Sequence, residues 1–119
     1  MLQSAPHMRI LFAVEPVDFR KGINSLSGVC RQVLKQDPFC GAVFVFHNKR
    51  RTALKILAYD GQGFWLCMKR LSAGRFRKFV SPHGHQISAL AAHELQVLLV
   101  NGDPKMINAA PLWKPLPSQ

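Results

Sequence analysis

The chain has 119 residues, 48% of them hydrophobic, which is enough apolar material for one folded domain and argues against a fully disordered chain. Its 16 Lys and Arg outnumber six Asp and Glu, and the formal net charge of +10 favours nucleic acid as partner, ahead of an acidic membrane surface or protein. No stretch approaches the roughly 20 apolar residues that span a bilayer, and no signal-peptide pattern opens the chain. Three cysteines without a paired short spacing indicate reduced thiols, so we expect a cytoplasmic protein.

The first third of the chain predicts one strand and one helix. After a flexible leader over residues 1–8, the apolar run Arg9–Val14 is bounded by a Glu-Pro pair and predicts a strand. Asp18 can cap a helix, and apolar residues then recur at helical spacing, which predicts a helix over Phe19–Gln36. The stripe on its buried face consists of Phe19, Ile23, Leu26, Cys30, Val33 and Leu34.

The middle of the chain predicts three strands, at Val43–His47, Ala53–Tyr59 and Phe64–Lys69. The first is apolar on both faces, as in a central strand. In the other two, apolar residues recur at every second position. Asp60-Gly61 is a hairpin signal. Because the connections are too short for parallel crossovers, these strands predict an antiparallel meander.

The last third predicts smaller elements. Arg75–Val80 is a candidate further strand with a basic edge, Gln86–Leu90 a short strand, and a helix begins near Ala92. We therefore predict an α+β domain over residues 9–103, an antiparallel β-meander of about four to six strands with one or two helices packed on it, followed by a Pro-rich tail over residues 104–119. The predicted core includes Ile23, Leu26, Val33, Leu57 and Leu98.

The basic residues are concentrated in the middle of the chain. Eight of them form three clusters that the predicted hairpins bring to one surface, where such a stripe can bind DNA phosphates. They are Lys49, Arg50, Arg51, Lys69, Arg70, Arg75, Arg77 and Lys78. Interleaved aromatic residues suit base stacking, although they equally suit a hydrophobic core. These are Phe64, Trp65, Phe76 and Phe79.

Other chemistries have weaker support. Asp18, Asp60 and Glu94 form the one carboxylate trio worth testing for two-metal catalysis. Asp60 is already explained as a turn residue, and Glu94 as a first-turn residue of its helix. The histidines and cysteines lack the spacing of a zinc site, so we expect no metal, cofactor or catalytic residue. Those considered are Cys40, His47, Cys67, His83 and His85.

Short motifs follow one another in a distinctive order. The chain carries D-x-R-K-G-I from Asp18, D-P-F-x-G-x-x-F-V-F from Asp37, N-K-R-R from Asn48, D-G-x-G-F-W from Asp60, K-R-L from Lys69, G-R-F from Gly74, and E-L-x-x-L-L-x-x-G-D from Glu94. With these motifs the chain closely resembles the TnpB-type accessory proteins of bacterial insertion sequences, the products of their second open reading frame. The resemblance covers about Arg9–Asp103. Two departures from the family's usual residues are His47, often Arg, and Ala91, often Ser or Thr.

The resemblance implies a role in transposition beside a separate, element-encoded DDE transposase that carries the nuclease site. It transfers no catalytic residue, so the protein itself is expected not to be an enzyme. Two hypotheses remain open. The first is an accessory protein that binds duplex DNA through phosphates, and the second is a subunit that binds the transposase without contacting DNA. A homo-oligomer is compatible with either.

Overall fold

The computed structural model describes residues 9–77, 84 and 86–101. They form a five-stranded sheet in the order β4-β3-β2-β1-β5 with two helices, which is the predicted α+β class. The elements are β1 (Ile10–Ala13), α1 (Ile23–Gln32), β2 (Val43–His47), β3 (Ala53–Tyr59), β4 (Phe64–Arg70), β5 (Ile87–Leu90) and α2 (Ala92–Asn101). In the described part of the chain, neither helix is long and apolar enough to cross a membrane.

The predicted meander is present in β2, β3 and β4, which pair antiparallel in chain order. The first strand departs from it, because β1 pairs with β2 in parallel and α1 forms the crossover between them. β1 therefore lies between β2 and β5, and it pairs with β5 antiparallel. Parallel neighbours require a long connection, and the segment containing α1 provides one. The sheet is thus mostly antiparallel with one βαβ unit. The alternation of side chains along single strands did not predict this unit.

Helix α1 begins later than predicted, at Ile23 instead of Phe19. The Asp18 carboxylate does not cap it, because it accepts hydrogen bonds from the backbone N–H and guanidinium of Arg20. The carbonyl of Asp18 closes a turn with Lys21 N–H at 3.1 Å. The helix ends at Gln32 instead of the predicted Gln36, because Lys35 enters the left-handed region with φ of 57°.

One helix covers each face of the sheet. On the first face, Leu26 and Cys30 of α1 pack with Phe44 and Leu57. On the second face, Leu98 of α2 belongs to the apolar cluster with sheet residues, which include Ile10, Val43, Val45 and Leu54. Both faces of β2 are buried, as predicted for a central strand.

Most of the predicted core is confirmed. Leu26, Leu57 and Leu98 are buried, and Ile23 is partly buried against the α1-side cluster. The prediction for Val33 is wrong, since this residue is 46% exposed. The buried face of α1 includes Leu26 and Cys30, which lie four residues apart. Val33 is the C-terminal cap residue and lies off that face.

Several predictions fall on residues that are not described. The leader over residues 1–8, the tail over residues 104–119, Lys78, and the segment 78–83 lie outside the described residues. The described part of the candidate strand Arg75–Val80, residues 75–77, does not form a strand.

Candidate nucleic-acid interface

The loop between β2 and β3 presents the first basic cluster. Asn48 shapes it, because its Oδ1 accepts from Thr52 N–H at 2.8 Å and its carbonyl accepts from Arg51 N–H at 3.0 Å. The Asn48 Nδ2 also donates to Thr52 Oγ1 at 2.9 Å. Lys49 and Arg50 lie at the tip of this closed turn, and both are exposed. Both side chains are therefore presented to a ligand.

Arg51 has a structural role. It adopts a left-handed conformation with φ of 59°, and its Nη1 donates to the carbonyl of Phe76 at 3.3 Å. Its own carbonyl accepts from Phe76 N–H at 2.7 Å, and Leu71 N–H donates to Thr52 O at 2.8 Å. These contacts fasten segment 71–77 to the loop. Phe76 is buried in the core, so the fastening holds the flanking cations in place.

Those flanking cations are Arg75 and Arg77, and both are exposed. Arg70, at the end of β4, pairs with Ala53 at the start of β3, so it lies beside the same loop. Lys69 precedes it and points to the opposite face. We call the surface formed by this loop, the end of β4 and segment 71–77 the basic end. Its cations are Lys49, Arg50, Arg51, Lys69, Arg70, Arg75 and Arg77.

Lys69 is exposed, but its ammonium donates to the carbonyl of Leu99. That carbonyl lies in the last turn of α2, where the helix dipole favours a cation. The bond therefore ties the second helix to the edge of the sheet. Lys69 and Arg51 are thus committed to contacts within the protein, unlike Lys49 and Arg50.

Acidic residues are distributed unevenly relative to the basic end. Asp37 lies in the connection before β2, Asp60 in the β3–β4 hairpin and Glu94 in the first turn of α2, all at the opposite end of the sheet. Glu15 and Asp18 follow β1 at the end where the basic loop also lies. Asp18 is paired with Arg20 at 2.6 Å, and the side-chain hydrogen bonds of Arg20 lower the pKa of that carboxyl to about 2.

Lys55 is a structural cation that the sequence patterns did not single out. Its Nζ donates to the carbonyls of Phe19 and Lys21 at 2.8 and 2.9 Å. It also lies 5.0 Å from the centre of the Phe19 ring. Lys55 therefore holds the D-x-R-K-G segment against the sheet, which places Arg20 and Lys21 on the α1 side near the basic end.

His47 is buried at the base of the basic loop. Its ring stacks on Phe12 at 5.4 Å, and its Nε2 and Nδ1 lie 2.8 and 3.1 Å from the carbonyls of Val14 and Asn48. The side chain links the end of β1 to the first residue of the loop. This position therefore supports the loop from inside the protein and does not present a charge to a ligand.

The carboxylate trio is not brought together. Asp18 pairs with Arg20, while Asp60 Oδ1 accepts from Gln62 and Gly63 N–H at the other end of the sheet. These bonds lower the pKa of Asp60. Glu94 Oε1 accepts from Ala91 N–H at 2.8 Å, which is half of a capping box. Within the described ranges, no group of three His, Cys, Asp or Glu side chains is placed to hold a metal ion.

The aromatic residues do not form a stacking platform on the basic end. Phe76 is buried, and Phe64 packs with Phe39 and Tyr59 at 5.1 and 5.0 Å at the opposite end of the sheet. Trp65 is there too, donating from Nε1 to Asp60 Oδ2 at 2.7 Å. Phe79 lies outside the described residues. The core interpretation therefore holds for Phe76, whereas Phe64 is partly buried and Trp65 is 40% exposed.

Fold and site define a small α+β protein with cations gathered at one end of its sheet and with Asp18, Asp60 and Glu94 engaged in local contacts. The family model described as IS66 Orf2 like protein matches residues 8–108. The chain belongs to this family, and it is a TnpB-type accessory protein of an insertion sequence, as its motifs predicted.

Two curated relatives come from Sinorhizobium fredii (strain NBRC 101917 / NGR234). The uncharacterized protein y4jC is 32% identical over 115 residues, which cover 97% of each chain. The uncharacterized protein y4hO is 41% identical over 76 residues, which cover 64% of this chain and 66% of the relative. No solved structure matches.

Proposed function

We propose that this protein is a non-catalytic, cytoplasmic transposition factor that binds duplex DNA through the phosphates facing its basic end. The observation that carries the proposal is the convergence of three chain segments on one end of the sheet. The loop at Lys49 and Arg50, the strand end at Arg70, and the segment at Arg75 are adjacent there because backbone hydrogen bonds join them.

The chemistry of that surface suits phosphate binding. Guanidinium groups bind phosphate oxygens through two parallel hydrogen bonds, and lysine contributes a compact charge. Such contacts position a protein on a duplex without reading its sequence. The described basic end offers exposed cations and no exposed aromatic ring, which favours the backbone of a duplex over the bases of a single strand.

The proposed partner in this role is the element-encoded DDE transposase, which would carry out the strand chemistry. The second candidate function is a subunit that binds that transposase without touching DNA. An exposed aromatic residue at the opposite end of the sheet favours it, since Phe39 is 47% exposed and packs beside Tyr59 and Phe64. Exposed apolar patches are a feature of surfaces that bind proteins.

A pull-down of the transposase, with and without nuclease treatment, separates the two functions. Transposase that is lost from the bead-bound protein after DNA digestion supports contact through DNA. Transposase that is retained after digestion supports direct contact. The matched control is the Lys49→Ala/Arg50→Ala variant, which should lose only the DNA-dependent fraction.

The non-catalytic part of the proposal has its own test. Asp60→Asn and Glu94→Gln remove the two carboxylates that resemble metal ligands in sequence but serve a turn and a helix start. We expect the wild-type protein and both variants to leave a supercoiled plasmid uncut in Mg²⁺. Specific cleavage by the wild type that disappears in both variants would show an enzyme.

A further inference from the structure

Strand β4 is the long open edge of the sheet. In the described part of the chain its strand neighbour is β3, and the strand has seven residues, against four in the edge strand β5. Trp65 and Met68 are 40% and 55% exposed, and Cys67 is exposed as well. An open edge of this length with apolar side chains is a template for adding another strand.

The hydrogen-bond register shows which backbone groups of β4 face outward. In the hairpin turn between β3 and β4, Asp60 N–H donates to Gly63 O at 3.1 Å. At the other end of the two strands, Leu71 N–H donates to Thr52 O at 2.8 Å. Bonded and non-bonded pairs alternate in an antiparallel ladder, so the odd-numbered residues of β4 point their backbone groups at β3. The even-numbered residues point theirs outward. These are Phe64, Leu66, Met68 and Arg70.

The side chains of β4 are complementary to a second, antiparallel copy of the same strand. Full overlap of two such strands puts the two-fold axis at Cys67, the central residue. Leu66 then faces the partner's Met68, and both present outward backbone groups, so they exchange hydrogen bonds. Cross-strand pairs of this kind are the unit of sheet stabilisation.

The cations of β4 are also kept apart in this register. Trp65 faces the partner's Lys69, and Phe64 faces the partner's Arg70, so no cation faces another cation. A parallel arrangement would instead place Lys69 and Arg70 beside their own copies, which repel. Charged residues at a sheet edge usually block pairing, but the antiparallel register keeps the cations of the two copies at opposite ends of the paired strands.

We propose that β4 is the interface of a symmetric homodimer, in which two five-stranded sheets join edge to edge through β4. The second copy is the occupant because, in the antiparallel register, the outward backbone groups of β4 can bond to one another, Leu66 and Met68 pair, and no cation faces another. This proposal does not depend on DNA binding. In such a dimer the two basic ends point in opposite directions along the joined edge.

The first test compares Met68→Pro with Met68→Ala by light scattering after size exclusion. Proline removes the outward N–H of residue 68 and is tolerated on the solvent side of an edge strand. Alanine removes the same side chain but keeps the N–H. We expect the wild type and Met68→Ala at twice the 13.4 kDa chain mass, and Met68→Pro at the chain mass with an unchanged circular dichroism spectrum.

The second test does not require the proline variant to fold. At the two-fold axis Cys67 faces the partner's Cys67 in a non-bonded pair, with Cα atoms about 4.5 Å apart, which permits a disulfide. Diamide oxidises the two thiols, takes up their two hydrogens and becomes a hydrazine. We expect Cys40→Ser to form the covalent dimer and Cys67→Ser to form none. A monomeric wild type, a dimer that survives Met68→Pro with its fold intact, or a crosslink that requires Cys40 overturns the proposal.

Discussion

Replacing Lys55 with Met tests the way in which the sheet holds the D-x-R-K-G segment. Methionine keeps most of the apolar stem but removes the ammonium that binds the carbonyls of Phe19 and Lys21. A hydrogen bond to a charged group contributes about 1.5–3 kcal/mol, and an exposed cation–aromatic contact about 0.5–1 kcal/mol. Because Lys55 is only partly buried, solvent screens these contacts, and we expect a loss of about 2–4 kcal/mol in the free energy of unfolding.

Urea denaturation followed by circular dichroism measures this loss. With an m value of about 1.5 kcal/mol per molar urea, the midpoint should fall by roughly 1–3 M. Lys49→Met is the matched control, because it makes the same substitution at an exposed loop tip, where the change should stay within about 0.5 kcal/mol. Equal midpoints for the two variants would refute the anchoring role of Lys55.

Three further predictions follow from single contacts. Leu26→Ala, at a fully buried position, should lose about 2–5 kcal/mol in a chemical melt, while Val33→Ala should lose far less; similar losses would contradict the assignment of the buried helix face. Arg20 lowers the pKa of Asp18 in the folded state, so the contribution of Asp18 to stability should be fully present above its ordinary pKa of 3.8 and should fade as pH falls toward about 2. Asp18→Asn should abolish this part of the acid dependence. An unchanged acid profile in this variant would count against the ion pair. Burial raises the pKa of the Cys30 thiol to about 12, so maleimide at neutral pH should label only the two exposed cysteines in the folded protein, and rapid labelling of the third would contradict this packing.

Much of the sheet was predictable because its signals are local. Alternating side chains and the Asp60-Gly61 turn defined β3 to the residue, and the doubly apolar run defined β2. The place of β1 was not predictable in this way, since a parallel neighbour is chosen by contacts between distant segments. The start of α1 was missed because Asp18 has two competing uses, and only the geometry shows that Arg20 occupies it.

For the candidate site too, local signals were predictable from the sequence and contacts between distant segments were not. Hairpin connectivity predicted that the basic clusters can share one surface, and their described members lie at one end of the sheet. The sequence did not distinguish Arg51 and Lys69 from their neighbours, because the carbonyls that they bind lie 25 and 30 residues further along the chain. Lys55 was missed for the same reason, since its partners lie 36 and 34 residues earlier.

Fluorescence anisotropy with a labelled duplex across a salt series tests the central claim, that the basic end binds DNA phosphates. If about four cations reach phosphates together, log K against log salt should have a slope of roughly −3 to −4 for the wild type. The Lys49→Ala/Arg50→Ala variant should be shallower by about 1–2, with equal weakening for unrelated sequences and an unchanged melting temperature. The same affinity and slope for variant and wild type would contradict the claim and favour direct binding to the transposase.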